Sequence, residues 1–392
     1  MNDSKSHPDF VASHIRDVPR SGIRDFFEIV STRKDIISLS IGEPDFVTPW
    51  HIRESAIFAL EHGATSYTEN LGILKLRQEL AEYVSESFGV SYDPCTEMLV
   101  TVGVSEALDL AIRAVVEPGD EVLYHEPCYV SYSPVITFAR GKPVPVTTRT
   151  EDDFRLTREM LEDKISDKTK VLILNFPTNP TGAVLLRKDV EDIADLVIKH
   201  NILVITDEIY SELTYDAERI SITAIPGMKE RTIFLNGFSK AWAMTGFRIG
   251  FACAPPQLTE AMMKIHQYTM MCAPILSQKA AIEALKTGGP DKAMMRSEYE
   301  KRRNFVCSSL NEMGVPCHTP KGAFYVFPFI GNYGMTSRDF SMRLIEEEKV
   351  ACVPGTAFGP SGEGFIRCSY ATGMEDLKEA MPRIASFISR LK

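Results

Sequence analysis

The run Thr232-Ile233-Phe234-Leu235-Asn236-Gly237-Phe238-Ser239-Lys240-Ala241-Trp242-Ala243-Met244-Thr245-Gly246-Phe247-Arg248-Ile249-Gly250 decides how this chain is read. Thr232 to Leu235 reads as a short β-branched and aromatic strand, and it delivers a single lysine, Lys240, to the loop at its carboxyl end. In open α/β sheets the ligand crevice lies at the carboxyl ends of the strands. A lysine held there, partly buried and among positive charges, is pushed toward its neutral amine, and a neutral amine attacks an aldehyde to form a Schiff base. Arg248 and the Ser239 hydroxyl bring positive charge and donors for a phosphate dianion close to that amine. An aldehyde-seeking amine beside a phosphate site predicts pyridoxal 5'-phosphate as cofactor. A lone lysine is more commonly a solvated surface charge, so the reading depends on its surroundings.

The flanking sequence, from about residue 98 to 254, alternates short apolar strands with amphipathic helices. Met98 to Val102 reads as a strand, followed by a helix through Ala107 to Val115. Pro118-Gly119-Asp120 then turns the chain into Glu121-Val122-Leu123-Tyr124. Val171 to Leu174 and Ile202 to Ile205 are continuous β-branched and Leu runs, which suit strands buried on both faces. A mostly parallel sheet covered by helices is the expected architecture. After about residue 255 the character changes to long helical stretches, among them one around Met294 to Met313. Strand-like Ala323 to Phe327, Ala351 to Val353 and Gly364 to Cys368 follow, then a final helix near Met374 to Leu391. The fold class is therefore α/β for a large domain with a mostly parallel central sheet, plus a smaller α+β domain. The expected division assigns residues 46–285 to the large domain and residues 1–45 with 286–392 to the small one.

A chain of 392 residues is long for one core, which agrees with two domains. Hydrophobic residues at 44% and charged residues at 24% are ordinary for a globular protein. Apolar runs are interrupted well before a membrane span is complete, and Met1 to Pro8 lack the apolar core of a signal peptide, so a cytoplasmic location is expected. The eight cysteines show no Cys-x-x-Cys pair and no zinc-like histidine spacing, which predicts neither disulfides nor a structural metal. A net charge of −10 argues against a nucleic-acid or anionic-membrane surface, although a small anion can still find a local basic pocket.

Further residues have chemistry that suits such a cofactor. An electron-sink pyridine ring needs a carboxylate beside its nitrogen. Asp207, at the end of the buried strand Ile202 to Thr206, answers that need, although a carboxylate after a strand also serves as a turn cap. Tyr210 lies close enough for its phenol to hydrogen-bond the ring oxygen. In Asn175-Phe176-Pro177-Thr178-Asn179-Pro180-Thr181-Gly182, prolines and a glycine hold Asn179 with an amide that can donate to a ring oxygen or to a carboxylate. Thr101 to Leu108 is a strand-turn-helix junction, where free amides and the Ser105 hydroxyl would favour a phosphate, unless Ser105 is merely an N-cap. Tyr129 begins the next helix and is placed either to stack on a planar ring or to pack in the core. Arg367 sits in an apolar strand, where an unpaired guanidinium is costly, so it needs an anionic partner. A substrate carboxylate and an internal salt bridge both qualify.

Together these residues resemble the class I/II aminotransferases of fold type I, the aspartate aminotransferase superfamily. The similarity spans nearly the whole chain in order: Ser40-Ile41-Gly42-Glu43-Pro44-Asp45, Tyr67-Thr68-Glu69-Asn70-Leu71-Gly72, Asn179-Pro180-Thr181-Gly182, Asp207-Glu208-Ile209-Tyr210, Ser239-Lys240 with Arg248, and Arg367. The resemblance implies that Lys240 carries the Schiff base and shuttles the proton. It implies that Asp207 pairs with the pyridinium, that Tyr210 and Asn179 bond the ring oxygen, and that Tyr129 stacks on the ring. Ser105, the amide of Val104, Ser239 and Arg248 would hold the phosphate. Tyr67 would reach the phosphate of a neighbouring subunit, which implies a homodimer with shared sites. Arg367 would clamp the substrate carboxylate with help from the Gly42 backbone and Asn179, and the small domain would close over the substrate.

Two departures from the family pattern bear on specificity. Gly237 stands where many members carry serine, which removes one phosphate donor. No clear match exists to the second arginine that some aspartate-specific members use for a side-chain carboxylate. Ser21 to Phe27 resembles a segment that borders the site in related bacterial enzymes, where Arg24 is either a contact for a distal carboxylate or a surface arginine. The expected reaction is transfer of an amino group from an aromatic, aspartate-like or alanine-like L-amino acid to a 2-oxo acid, with 2-oxoglutarate as acceptor by family analogy. The alternatives are a cysteine–sulfur β-lyase on the same scaffold, a non-catalytic ligand-sensing protein, and a plain nucleotide-binding α/β protein, for which no Gly-x-Gly-x-x-Gly is present.

Overall fold

Val, Ile and Leu runs too apolar for a solvated face form strands that are covered on both sides. A computed structural model of the chain describes residues 10–23, 33 and 35–391. A two-residue strand, β1 (Ile37–Ser38), precedes the seven members of the main sheet: β2 (Met98–Thr101), β3 (Glu121–Glu126), β4 (Lys142–Thr147), β5 (Thr169–Leu174), β6 (Leu203–Asp207), β7 (Thr232–Gly237) and β8 (Gly250–Cys253). Their spatial order is β2-β8-β7-β6-β5-β3-β4. The pairs from β4 through β7 are parallel, whereas β8 runs antiparallel to both β7 and β2. The mostly parallel sheet expected from the sequence is present.

Alternation along the strands assigns the two faces. Val171 and Ile173 join the core beneath the helices Gly103–Val115 and Pro256–Thr269, while Leu172 and Leu174 join the core beneath Arg187–Lys199. β4 was not anticipated. Pro143 and Pro145 cannot donate to a ladder, and the strand is tolerated because it forms an edge, bonded among the described residues only to β3.

The C-terminal third contributes β9 (Tyr325–Val326), β10 (Val350–Ala351), β11 (Val353–Pro354) and β12 (Ile366–Ser369). β11, β12 and β9 form an antiparallel sheet, and β10 pairs in parallel with β1. The single strand expected at Ala351 to Val353 is thus two, divided at Cys352, because its halves pair with different partners. The strand expected at Ala323 to Phe327 is confined to Tyr325–Val326. The charged helix begins earlier than expected and covers Gly289–Glu312. The N-terminal segment is woven in: the Leu39 amide donates to Ala351 O (2.9 Å) and Leu39 O accepts from the Ser369 amide (2.7 Å). Among the described residues no helix is long and apolar enough to cross a membrane.

Register brings one edge of the main sheet together. Thr101 lies opposite Gly250, Gly250 opposite Gly237, and Asp207 opposite Leu235 in the neighbouring strand. The carboxyl ends of β2, β5, β6 and β7 therefore open into the same space, although their residues are far apart in sequence.

Candidate active site

That space is a cleft of about 350 Å³, lined along one wall by Gly42 and Arg367 and along the other by the loops after β2, β5, β6 and β7. The strand β7 ends at Gly237, and the next three residues turn Lys240 into the cleft. Its Nζ donates to Gly42 O at 2.7 Å and lies 5.8 Å from the Tyr210 ring centroid. Burial pushes this amine down to about 8, the positive charges of Arg367 and Arg248 push the same way, and the Glu43 carboxylate opposes them. Glu43 is itself held by the Thr245 hydroxyl.

Asp207, the last residue of β6, faces the same cleft from the buried interior. Burial raises its carboxyl to about 6, while two hydrogen bonds favour the ionised form. The Tyr132 hydroxyl donates to Oδ2 at 2.9 Å and the Ile209 amide to Oδ1 at 3.3 Å. Asn175 fixes the backbone at this point by donating from Nδ2 to Asp207 O at 2.8 Å. Its neighbour Glu208 points to the other side of the strand, bonded by Ser221 Oγ at 2.5 Å and raised to about 8 by burial.

A third corner of the cleft is built for an anion. The helix Gly103–Val115 starts directly after β2, so its first amides point outward without intrahelical acceptors. It begins at Gly103, so Ser105 lies in its first turn and is not its N-cap, and the Glu106 carboxylate accepts the Val102 amide at 2.5 Å. Glycines let this terminus touch the sheet edge. A Cβ on Gly250 would lie 2.7 Å from both Gly103 C and Val104 N, and one on Gly237 would lie 3.0 Å from Val104 Cγ2 and from Gly250 Cα. The absent serine at 237 therefore has a packing reason: a side chain there would push β7 from β8 and from Val104. Val104, Ser105, Ser239 and Arg248 all line this corner. Arg248 donates from Nη1 to Thr245 O at 3.1 Å.

At the remaining corner Arg367 is 1% exposed. Its Nη1 donates to Asn179 Oδ1 at 3.0 Å and its Nη2 to Ser40 O at 2.6 Å, and Nε has no partner among the described residues. These are neutral acceptors, so the internal salt bridge considered from the sequence is not made to any described residue. A buried guanidinium that lines the cleft without a carboxylate partner among the described residues has the charge and the planar donors that an anion entering the cleft would need. Because Asn179 presents its carbonyl oxygen to Arg367, its amide NH₂ is the end left for another acceptor.

Of the residues singled out from the sequence, Gly42, Val104, Ser105, Tyr129, Asn179, Asp207, Tyr210, Ser239, Lys240, Arg248 and Arg367 all line the cleft. Tyr67 does not; it is 79% exposed on the surface of the single chain. Arg24 lies outside the described residues. Tyr129 precedes the next helix instead of beginning it, because that helix starts at Tyr132. Sequence reasoning gave no role to Tyr132, Asn175 or Tyr325. Tyr325 sits in the apolar run Ala323 to Phe327, where a tyrosine reads as core, Tyr132 stands between two serines with no motif to mark it, and only their hydroxyl partners distinguish them.

The residues present fit pyridoxal phosphate in kind. An amine with a lowered proton affinity faces the cleft, a deep carboxylate shares it, and helix amides, hydroxyls and a guanidinium form the anion corner. The aldehyde, ring nitrogen and phosphate of that cofactor require those three groups.

Similarity to known proteins extends over nearly the whole chain. Residues 34–384 match the family model for aminotransferase class I and II. A putative aminotransferase of Bacillus subtilis, YugH, is 51% identical, with 97% of this chain and 99% of the relative aligned. An aspartate aminotransferase of Pyrococcus abyssi is 47% identical over 95% of this chain and 96% of its own length. The crystal structure of an aromatic aminotransferase from Pyrococcus horikoshii superimposes with a TM-score of 0.90 at 47% identity, covering 94% of this chain and 99% of that one. With the family model spanning nearly the whole chain and relatives at this identity, the protein belongs to the class I and II aminotransferases.

Proposed function

We propose that this aminotransferase uses pyridoxal phosphate to move an amino group from an aspartate-like or aromatic L-amino acid to a 2-oxo acid, with 2-oxoglutarate as acceptor. The carrying observation is the Lys240 amine, brought to about 8 by burial in the same cleft as Asp207. The relatives named for aspartate and aromatic amino acids support the choice of donor. When bound, pyridoxal phosphate supplies an electron-withdrawing ring that stabilises the charge left as the substrate's Cα proton departs.

The chain's own residues then divide the work. Lys240 Nζ takes the Cα proton and returns it on the other side of the transfer, which requires a neutral amine near working pH. Asp207, kept ionised by Tyr132 and the Ile209 amide, holds a positive charge at the ring nitrogen. Tyr210 and the Asn179 amide donate to the ring oxygen, and Tyr129 lies against the ring face. The Val104 amide, Ser105, Ser239 and Arg248 hold the phosphate. Arg367 takes the substrate's α-carboxylate through its free donor edge, assisted by Asn179 and the backbone at Gly42.

We further propose that two domains, residues 46–285 and residues 1–45 with 286–392, close on the substrate, and that the working unit is a homodimer in which Tyr67 of one subunit reaches the phosphate in the other. The exposure of Tyr67 on the single chain leaves its side chain open to a second copy, which supports this reading. Borohydride treatment of the loaded protein followed by digestion is expected to leave a reduced pyridoxyl label on the peptide containing Lys240; its absence there overturns the cofactor assignment. Single-turnover reactions with a panel of amino acids, followed by the cofactor's absorbance, identify the donor.

A further inference from the structure

Arg367 has a charge but no countercharge within hydrogen-bonding reach among the described residues; Asn179 Oδ1 and Ser40 O hold the guanidinium at its edge, and its faces are held by aromatic side chains. The guanidinium carbon lies 4.4 Å from the Tyr325 centroid and 4.8 Å from the Phe358 centroid. Strand register explains the Tyr325 contact. Tyr325 in β9 is opposite Ser369 in β12, and Arg367 is two residues along the same strand, so both side chains emerge on one face.

The other end of Tyr325 reaches a different part of the site. Its hydroxyl is 2.8 Å from the Tyr210 hydroxyl, and both tyrosines are buried. The backbone of Gly42 closes over this junction so tightly that a Cβ there would lie 2.6 Å from the Tyr325 hydroxyl oxygen and 3.6 Å from Arg367 Nη1. One side chain thus touches the carboxylate-seeking guanidinium with its ring and the phenol beside Lys240 with its oxygen.

We propose that Tyr325 is a positioning residue that joins the two halves of the active site: its ring face holds the Arg367 guanidinium for the substrate carboxylate, and its hydroxyl holds the Tyr210 phenol toward the cofactor's ring oxygen. This rests on the pyridoxal phosphate reading above. A desolvated cation above a ring is held strongly. A phenol whose oxygen accepts one hydrogen bond becomes a better donor in the next. Tyr325 supplies both effects from one rotamer, so the two subsites share a common reference point.

The two contacts can be removed separately. Tyr325→Phe keeps the ring and deletes the hydroxyl. The apo variant is expected to bind pyridoxal phosphate about 3–10-fold more weakly by quenching of tryptophan fluorescence, with the KM for amino donor within about twofold of wild type. Tyr325→Leu also deletes the ring. Its KM for amino donor, and the Kd of the unreactive carboxylate 3-phenylpropionate by calorimetry, are expected to rise about 10–30-fold. Near-UV circular dichroism checks that the leucine variant is folded, and the near-isosteric phenylalanine variant decides the hydroxyl half in any case. Cofactor binding unchanged in Tyr325→Phe, carboxylate binding unchanged in Tyr325→Leu, or parallel loss of both constants in both variants overturns the proposal. If wild-type protein binds no pyridoxal phosphate, the cofactor reading falls together with the hydroxyl half, while the carboxylate titration still decides the ring half.

Discussion

In water a lysine amine keeps its proton to about pH 10 and an aspartate loses its proton near pH 4. In the cleft burial brings Lys240 down to about 8 and Asp207 up to about 6, so both approach the neutral range. The lysine shift has a kinetic consequence. Because only the neutral amine attacks an aldehyde, capture of pyridoxal phosphate by the apo protein should accelerate with rising pH through about 8; a midpoint near 10 in stopped-flow absorbance would contradict the burial argument. The aspartate shift has a stability consequence. A folded-state value raised from 3.8 to about 6 means that the native state holds the proton more tightly than the unfolded chain. That contribution is fully present below 3.8 and lost as pH rises through about 6, which by linkage costs the apo protein on the order of 3 kcal/mol at pH 7. Asp207→Asn should therefore gain stability relative to wild type as pH rises from 4 to 7, as read from thermal melts of the apo proteins. The gain is reduced by the Ile209 amide, which then faces an NH₂ group in one amide orientation. The same variant should retain cofactor poorly.

At the scale of elements, the anion corner depends on how closely a helix terminus approaches a sheet edge. Gly250→Ala places a methyl 2.7 Å from the backbone of Gly103 and Val104, which have no flexible end to yield. A loss of about 1–3 kcal/mol in urea unfolding is expected, with weaker inorganic phosphate binding to the apo protein. Gly237→Ser, which would restore the serine of the family pattern, should also destabilise, because its Cβ meets Gly250 Cα and Val104 Cγ2 at 3.0 Å. Strands and helices with uniform apolar character were legible in the sequence: β5, β6 and β7 appear where β-branched runs predict them. β4 was hidden by Pro143 and Pro145, since proline lowers strand propensity everywhere except at an edge, and edge position is a property of the sheet.

Across the whole molecule, the N-terminal segment that carries Ser40 and Gly42 is anchored to the C-terminal third. Arg302, buried in the helix Gly289–Glu312, grips Asp45 through Nη1 at 2.8 Å to both carboxylate oxygens and lies above the Phe46 and Tyr299 rings. Asp45→Ala leaves that charge without its bidentate partner, although Glu298 remains 3.3 Å from Nε. A cost of up to about 3–5 kcal/mol is expected in chemical denaturation, together with a raised KM, because the displaced segment includes the Ser40 carbonyl that orients Arg367. The proposed shared site makes a sharper demand. Lys240→Ala and Tyr67→Ala proteins should each be impaired alone, but mixed and reassociated subunits should regain activity, because each mixed dimer contains one site with both side chains intact. Activity that stays at the sum of the two separate variants would place Tyr67 outside the catalytic unit.

The sequence by itself determined the class of sheet, the strand ends from which Asp207 and Lys240 emerge, and the family, because β-branched runs and ordered motifs are local properties of the chain. Nearly all the residues it singled out lie in the cleft, Tyr67 being the exception among those described. Only the tertiary structure decided that Arg367 has no carboxylate partner among the described residues, that Tyr132 bonds Asp207, that a side chain at Gly237 would crowd Val104 and Gly250, and that Tyr325 touches both Arg367 and Tyr210. These are contacts between segments remote in sequence, set by strand register and helix packing, and no periodicity in the chain encodes them.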